Sequence, residues 1–95
     1  MTKIEQLMNN YFDLYTELLN RNHVYRNHLN KFLNYLKLEE THLLDNYFLI
    51  NSEVIKRSAI YYHNKGCINS SATMISYVDS IRSFYKFLHE IEGAS

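Results

Sequence analysis

The sequence predicts an all-α protein, a compact bundle of four main helices with a packed apolar connector between the second and the third. Three observations predict it. Leu, Ile, Tyr and Phe recur along most of the chain at the i, i+3, i+4, i+7 spacing that lines one face of a helix. Proline is absent, and Gly66 and Gly93 are the two glycines, so few positions break a helix. The 95 residues, 46% of them apolar, suffice for one small core and no more.

The first helix is expected over about residues 3–19, with Ile4, Leu7, Met8, Tyr11, Leu14, Tyr15, Leu18 and Leu19 inward. The polar stretch Asn20 to His23 interrupts it. The second, about 23–38, turns Tyr25, Leu29, Phe32, Leu33 and Leu36 to the core. The connector from Glu39 to Ile50 holds Leu43, Leu44, Tyr47, Phe48 and Ile50, too apolar for a free linker, and accommodates one short helical turn. Asn51 or Ser52 caps the third helix, because a short oxygen-bearing side chain accepts from the free N–H groups of the first turn. Val54, Ile55, Ser58, Ala59 and Tyr62 point inward, and the helix runs to about Asn64, where Gly66 supplies a left-handed stop. The fourth helix starts near Asn69 or Ser70 and reaches about Ile91. Its stripe is Tyr77, Val78, Ile81, Tyr85 and Leu88, with Met74 and Phe84 on the flanks. Phe87 falls toward the polar side, where it would pack on a further domain or subunit, or cover the connector. Residues 1–92 read as one domain and 93–95 as a frayed tail.

Ten basic and ten acidic residues balance, which counts against strong autonomous nucleic-acid binding. Their distribution is uneven. Between Glu17 and Glu39 there is no carboxylate, but there are Arg21, Arg26, Lys31 and Lys37; between Glu53 and Asp79 there is again none, but there are Lys56, Arg57 and Lys65. One face can therefore be basic while the whole is neutral. The lone Cys67 excludes an internal disulfide and a multi-cysteine zinc site, and points to the cytoplasm. No apolar run approaches the roughly 20 residues of a membrane helix. His63 and Cys67 lie four apart but have no third ligand candidate, so neither a metal nor another cofactor is expected. A nucleophile–base pair and a glycine-rich phosphate loop are also missing, which argues against a stand-alone enzyme.

The order of features carries a resemblance. A helix ending Phe32-Leu33-Asn34-Tyr35-Leu36 is followed by an apolar connector and the step Ile50-Asn51-Ser52-Glu53-Val54-Ile55. After Gly66 comes a hydroxyl-rich start at Ser70, and then Ile81-Arg82-Ser83-Phe84-Tyr85-Lys86-Phe87-Leu88. The chain resembles the N-terminal core-binding, SAM-like domain of tyrosine recombinases, the phage-integrase family. That resemblance implies the upper half of a C-shaped clamp around double-stranded DNA. Its second and fourth helices would meet groove and backbone, and strand cleavage would belong to a missing C-terminal catalytic domain. Other recombinase subunits on the same DNA would be further partners, and the parent would come from a phage or mobile element. No catalytic residue is carried over; His23-Val24-Tyr25-Arg26 has the letters of the family's His-x-x-Arg element but lies outside any catalytic setting.

The candidate DNA-binding residues fall into two groups. On the second helix, Asn27, Asn30, Lys31 and Asn34 share the outer face with His23, and Arg26 and Lys37 flank it. Asn pairs two-fold with adenine, and Lys or Arg donates to guanine or phosphate; the competing reading is a solvated Asn-rich face. At the start of the fourth helix, Ser70, Ser71 and Thr73 can hold a phosphate with the free N–H groups, or simply cap the helix. Farther along, Arg82 and Lys86 can contact phosphate, or pair with Asp79 and Glu90. The alternative function for the whole is a small helical protein-interaction module without DNA affinity.

Overall fold

In the computed structural model, backbone is described at residues 3–19 and 22–90, and side chains at 3–13 and 24–90. Helix α1 (Lys3–Leu19) buries Ile4, Leu7, Met8, Tyr11 and Phe12. The expected core positions Leu14, Tyr15, Leu18 and Leu19 lie outside the described side chains, as do His23 and the tail at 93–95. Helix α2 (Asn22–Glu39) buries Leu29, Phe32, Leu33 and Leu36 as its periodicity requires, and also His28 and Tyr35.

The connector makes two short 3-10 turns, Thr41–Leu44 and Tyr47–Leu49, where one was expected. Leu43 and Ile50 anchor it in the core, while Phe48 and Leu49 stay exposed. Helix α3 (Ser52–Asn64) starts at Asn51, whose side-chain oxygen accepts from the N–H groups of Glu53 and Val54 at 3.0 and 3.2 Å. It ends at Gly66, where φ is +79°, a value L-residues resist. All five expected inward residues of α3 are buried. Ile68 then drops into the core, and Asn69 donates to the Gly66 carbonyl, closing the turn into helix α4 (Ser71–Glu90).

Helix α4 packs against all three other helices. That position explains the misplacement of Phe87. A helix with neighbours on three sides buries a wide arc, and the arc of α4 takes in Tyr77, Ser80, Ile81, Phe84, Phe87 and Leu88. Phe87 follows Ser80 and Phe84 at i+7 and i+3, and it meets Tyr11 of α1 at 5.3 Å between ring centroids. It therefore faces the core of this chain, not the polar side. Val78 and Tyr85, expected at the centre of the stripe, are only half-buried at its edge.

Two small residues let α4 approach its neighbours. Ser80 accepts from His28 of α2 at 3.0 Å and passes its own proton to the Ser76 carbonyl, so His28 donates through Nδ1. Ser58 of α3 accepts from Tyr77 at 2.9 Å and donates to the Ile55 carbonyl. Each buried hydroxyl thus has its partners, and the seams carry no unsatisfied cost there.

Candidate nucleic-acid interface

The exposed face of α2 is built by spacing. Asn27, Asn30 and Asn34 are all exposed, and steps of three and four residues put them on one line about 10 Å long at 1.5 Å per residue. From residue 24 to residue 38 the helix carries no carboxylate. Its cations divide between the two margins. Arg26 lies on the α1 side, with its guanidinium carbon 4.3 Å from the centre of the Phe12 ring. Lys37 shares that side, and its Nζ is 3.7 Å from Glu5. Lys31 is half-buried on the opposite margin, where its carbonyl accepts from the Tyr62 hydroxyl of α3.

The start of α4 stands beside the first turns of α2: Val24 and Tyr25 line one shallow groove with Ala72, Ile75, Ser76 and the carboxylate Asp79. Ser70 is the cap. Its Oγ accepts from the Thr73 N–H at 3.1 Å and donates to the Thr73 hydroxyl at 2.9 Å. Capping thus occupies Ser70 and Thr73 with each other, while Ser71 is exposed next to them.

Arg82 and Lys86 do not join the α2 face. Arg82 lies across a different groove, between α3 and α4, with Lys56, Ala59 and Val78. Lys86 is exposed, with Nζ 4.0 Å from Glu90. The expected helices are neighbours, but their cations fall into separate groups: Arg26, Lys31 and Lys37 around the asparagine line, and Arg82 with Lys56 beyond α4.

Arg57 is withdrawn from any basic face. Its Nη2 and Nε donate to the Glu40 carboxylate at 2.7 and 3.1 Å, and Tyr35 donates to the same carboxylate. Those hydrogen bonds hold the Glu40 carboxyl below the usual range, led by the guanidinium. Burial, reinforced by Glu40, pushes the Tyr35 hydroxyl up to about 12. The triad ties the end of α2 to α3, and its role is structural. His63 donates to the Ile68 carbonyl at 2.8 Å, which closes the turn after α3; Cys67 is exposed, and the described residues contain no cluster able to hold a metal. Among the described residues, no helix is long and apolar enough to cross a membrane.

Sequence reasoning missed His28. Burial, with Lys31 nearby as a smaller effect, lowers its pKa from the ordinary 6.5, so it is held neutral in the α2–α4 seam. The signal was present: His28 precedes Phe32 by one turn, on the apolar side of α2. Compared with models of protein families, with curated proteins and with solved structures, the chain matches none.

Proposed function

We propose that this chain is a DNA-binding domain of the core-binding type found in tyrosine recombinases, and that it contacts duplex DNA through the exposed face of α2. One observation carries the reading: three asparagines in line, margins set with Arg26, Lys31 and Lys37, and no carboxylate across fifteen consecutive helical residues, 24–38. A polar helix ridge of that kind suits a major groove about 12 Å wide. The N-terminus of α4, with Ser71 exposed, supplies a neighbouring phosphate position. Arg82 and Lys86 enter this reading only as outlying phosphate contacts.

The role is positioning. Phosphate contacts set the register, asparagines read base edges, and strand chemistry belongs to a separate catalytic domain and to other recombinase subunits. Replacing Arg26 and Lys31 together with Ala tests it in a gel-shift or anisotropy titration with duplex DNA at low salt. Affinity should fall by at least about tenfold. Equal affinity would remove α2 from the interface.

A second reading, a helical protein-interaction module, is favoured by a specific observation. Leu38, Phe48, Leu49, Ile60 and Ile75 are large apolar side chains left between 48% and 69% exposed. A module that binds another protein through such residues would show no salt-dependent affinity for duplex DNA.

A further inference from the structure

The groove between α3 and α4 has a composition that the α2 face does not share. The two helices run antiparallel, joined through Gly66, so the start of α3 lies beside Arg82 and its last turns beside Met74. Met74, Val78 and Arg82 follow one another at i+4 along one wall of the groove. Ile55, Ala59 and Ile60 make the facing floor and wall, and Glu53 and Lys56 stand on the α3 side of the rim. The groove is therefore polarised, with an apolar end at Ile60 and Met74 and a charged end of net positive sign at Glu53, Lys56 and Arg82.

Two details point to a ligand for that polarity. Ile60 is 48% exposed, a cost in water that burial by a partner would reverse. Among the described residues, the ion pairs formed by cations are Lys37–Glu5, Arg57–Glu40 and Lys86–Glu90; neither Lys56 nor Arg82 is in one. Glu53 lies on the same rim, within 4.0 Å of neither cation as an ion pair, and leaves the rim a net positive charge.

We infer that the α3–α4 groove docks a short amphipathic helix of another protein, one that lays an apolar stripe against Ile60, Met74 and Val78 and sets carboxylates against Lys56 and Arg82. From Met74 to Arg82 the wall runs about 12 Å at 1.5 Å per residue, the length of about two turns of such a helix. Helix-in-groove recognition uses apolar anchors at i, i+3, i+4 and i+7, and the cations fix its direction by charge complementarity. The inference takes a surface and a partner chemistry from the interaction-module reading, and it does not require that DNA affinity be absent. It is separable from DNA binding by α2, because it uses no α2 side chain and shares with the DNA reading only Arg82, an outlying contact there.

The test uses the full chain, isotope-labelled for amide NMR, and two synthetic helical peptides of roughly 12 residues. Both carry the same leucine stripe; one has glutamates at its flanking positions and the other lysines. The glutamate peptide should shift amides of α3 and α4 and bind at least about tenfold more tightly than the lysine peptide. Lys56→Glu with Arg82→Glu should reverse that preference, and Ile60→Asp should weaken both peptides. These positions are exposed, so the variants should keep the wild-type amide spectrum elsewhere. Equal binding of the two peptides, self-association that covers the groove, or shifts there driven by duplex DNA instead of peptide would each overturn the inference. Loss of DNA binding in the Arg26 and Lys31 variants, with peptide selectivity intact, would leave it standing and separate it from the DNA reading.

Discussion

The outer face of α2 and the groove between α3 and α4 both carry cations, yet they hold them in opposite ways. On α2 the positive side chains are placed by neighbours: Arg26 by the Phe12 ring, Lys37 by Glu5, Lys31 by partial burial. They frame a polar ridge. In the groove, Lys56 and Arg82 stand outside any ion pair above an apolar floor. Three of the four arginines, Arg26, Arg57 and Arg82, make the same point. One stacks on a ring, one clamps a carboxylate, and one lies in a groove outside any ion pair. Their residue type is common, and their surroundings assign the work.

The comparison rests on α4 being locked against α1, α2 and α3, because a rolled α4 would move Arg82 toward α2. Phe87 tests the roll most strongly. Phe84→Ala and Phe87→Ala should each cost about 3–5 kcal/mol by thermal or denaturant melting. A wild-type melting curve for Phe87→Ala would mean that the ring is outside, and that the two cation groups are not where they are placed here.

A smaller effect sharpens the α2 side. Arg26→Ala with Lys31→Ala, the pair expected to cost about tenfold in DNA affinity, should lower stability only slightly, since a cation–π contact at a surface contributes about 0.5–1 kcal/mol. If the double variant unfolds, its binding loss says nothing of phosphate contact, and Lys31→Ala alone becomes the informative change. Smaller still is the clamp. Arg57→Ala should cost about 1 kcal/mol, because the pair is half-exposed on the arginine side and screened there, and it should leave DNA affinity unchanged.

The seam beside the ridge should respond to pH. Unfolded, His28 titrates near the ordinary 6.5; folded, burial lowers its pKa. Between those two values the unfolded chain binds more protons than the folded one, so stability is full above about 6.5 and is lost as pH falls through the window below it. Melting temperature should therefore drop on acidification across that range, and His28→Gln should flatten the drop. An unchanged slope in that variant would show that another group dominates.

Much of this was legible in the chain. The four helices, a cap at Asn51 or Ser52, the Gly66 stop and the α3 core follow from spacing and side-chain chemistry alone, because each is local. The asparagine line was legible for the same reason, as a repeat on one helix. What depended on how helices cross was not. Phe87 looks polar-facing until α1 is placed beside it, and Arg82 looks like a companion of Lys31 until α3 is found on its side of α4. His28 carried a readable sign in its position before Phe32, but its partner Ser80 lies 52 residues away.

The most direct test of the α2 interface is the salt dependence of duplex DNA binding by the intact chain. With Arg26, Lys31 and Lys37 as the phosphate contacts, the logarithm of affinity should fall against the logarithm of salt with a slope of about −2 to −3, at roughly −0.9 per contact. A slope near zero, or no binding at low salt, would contradict it.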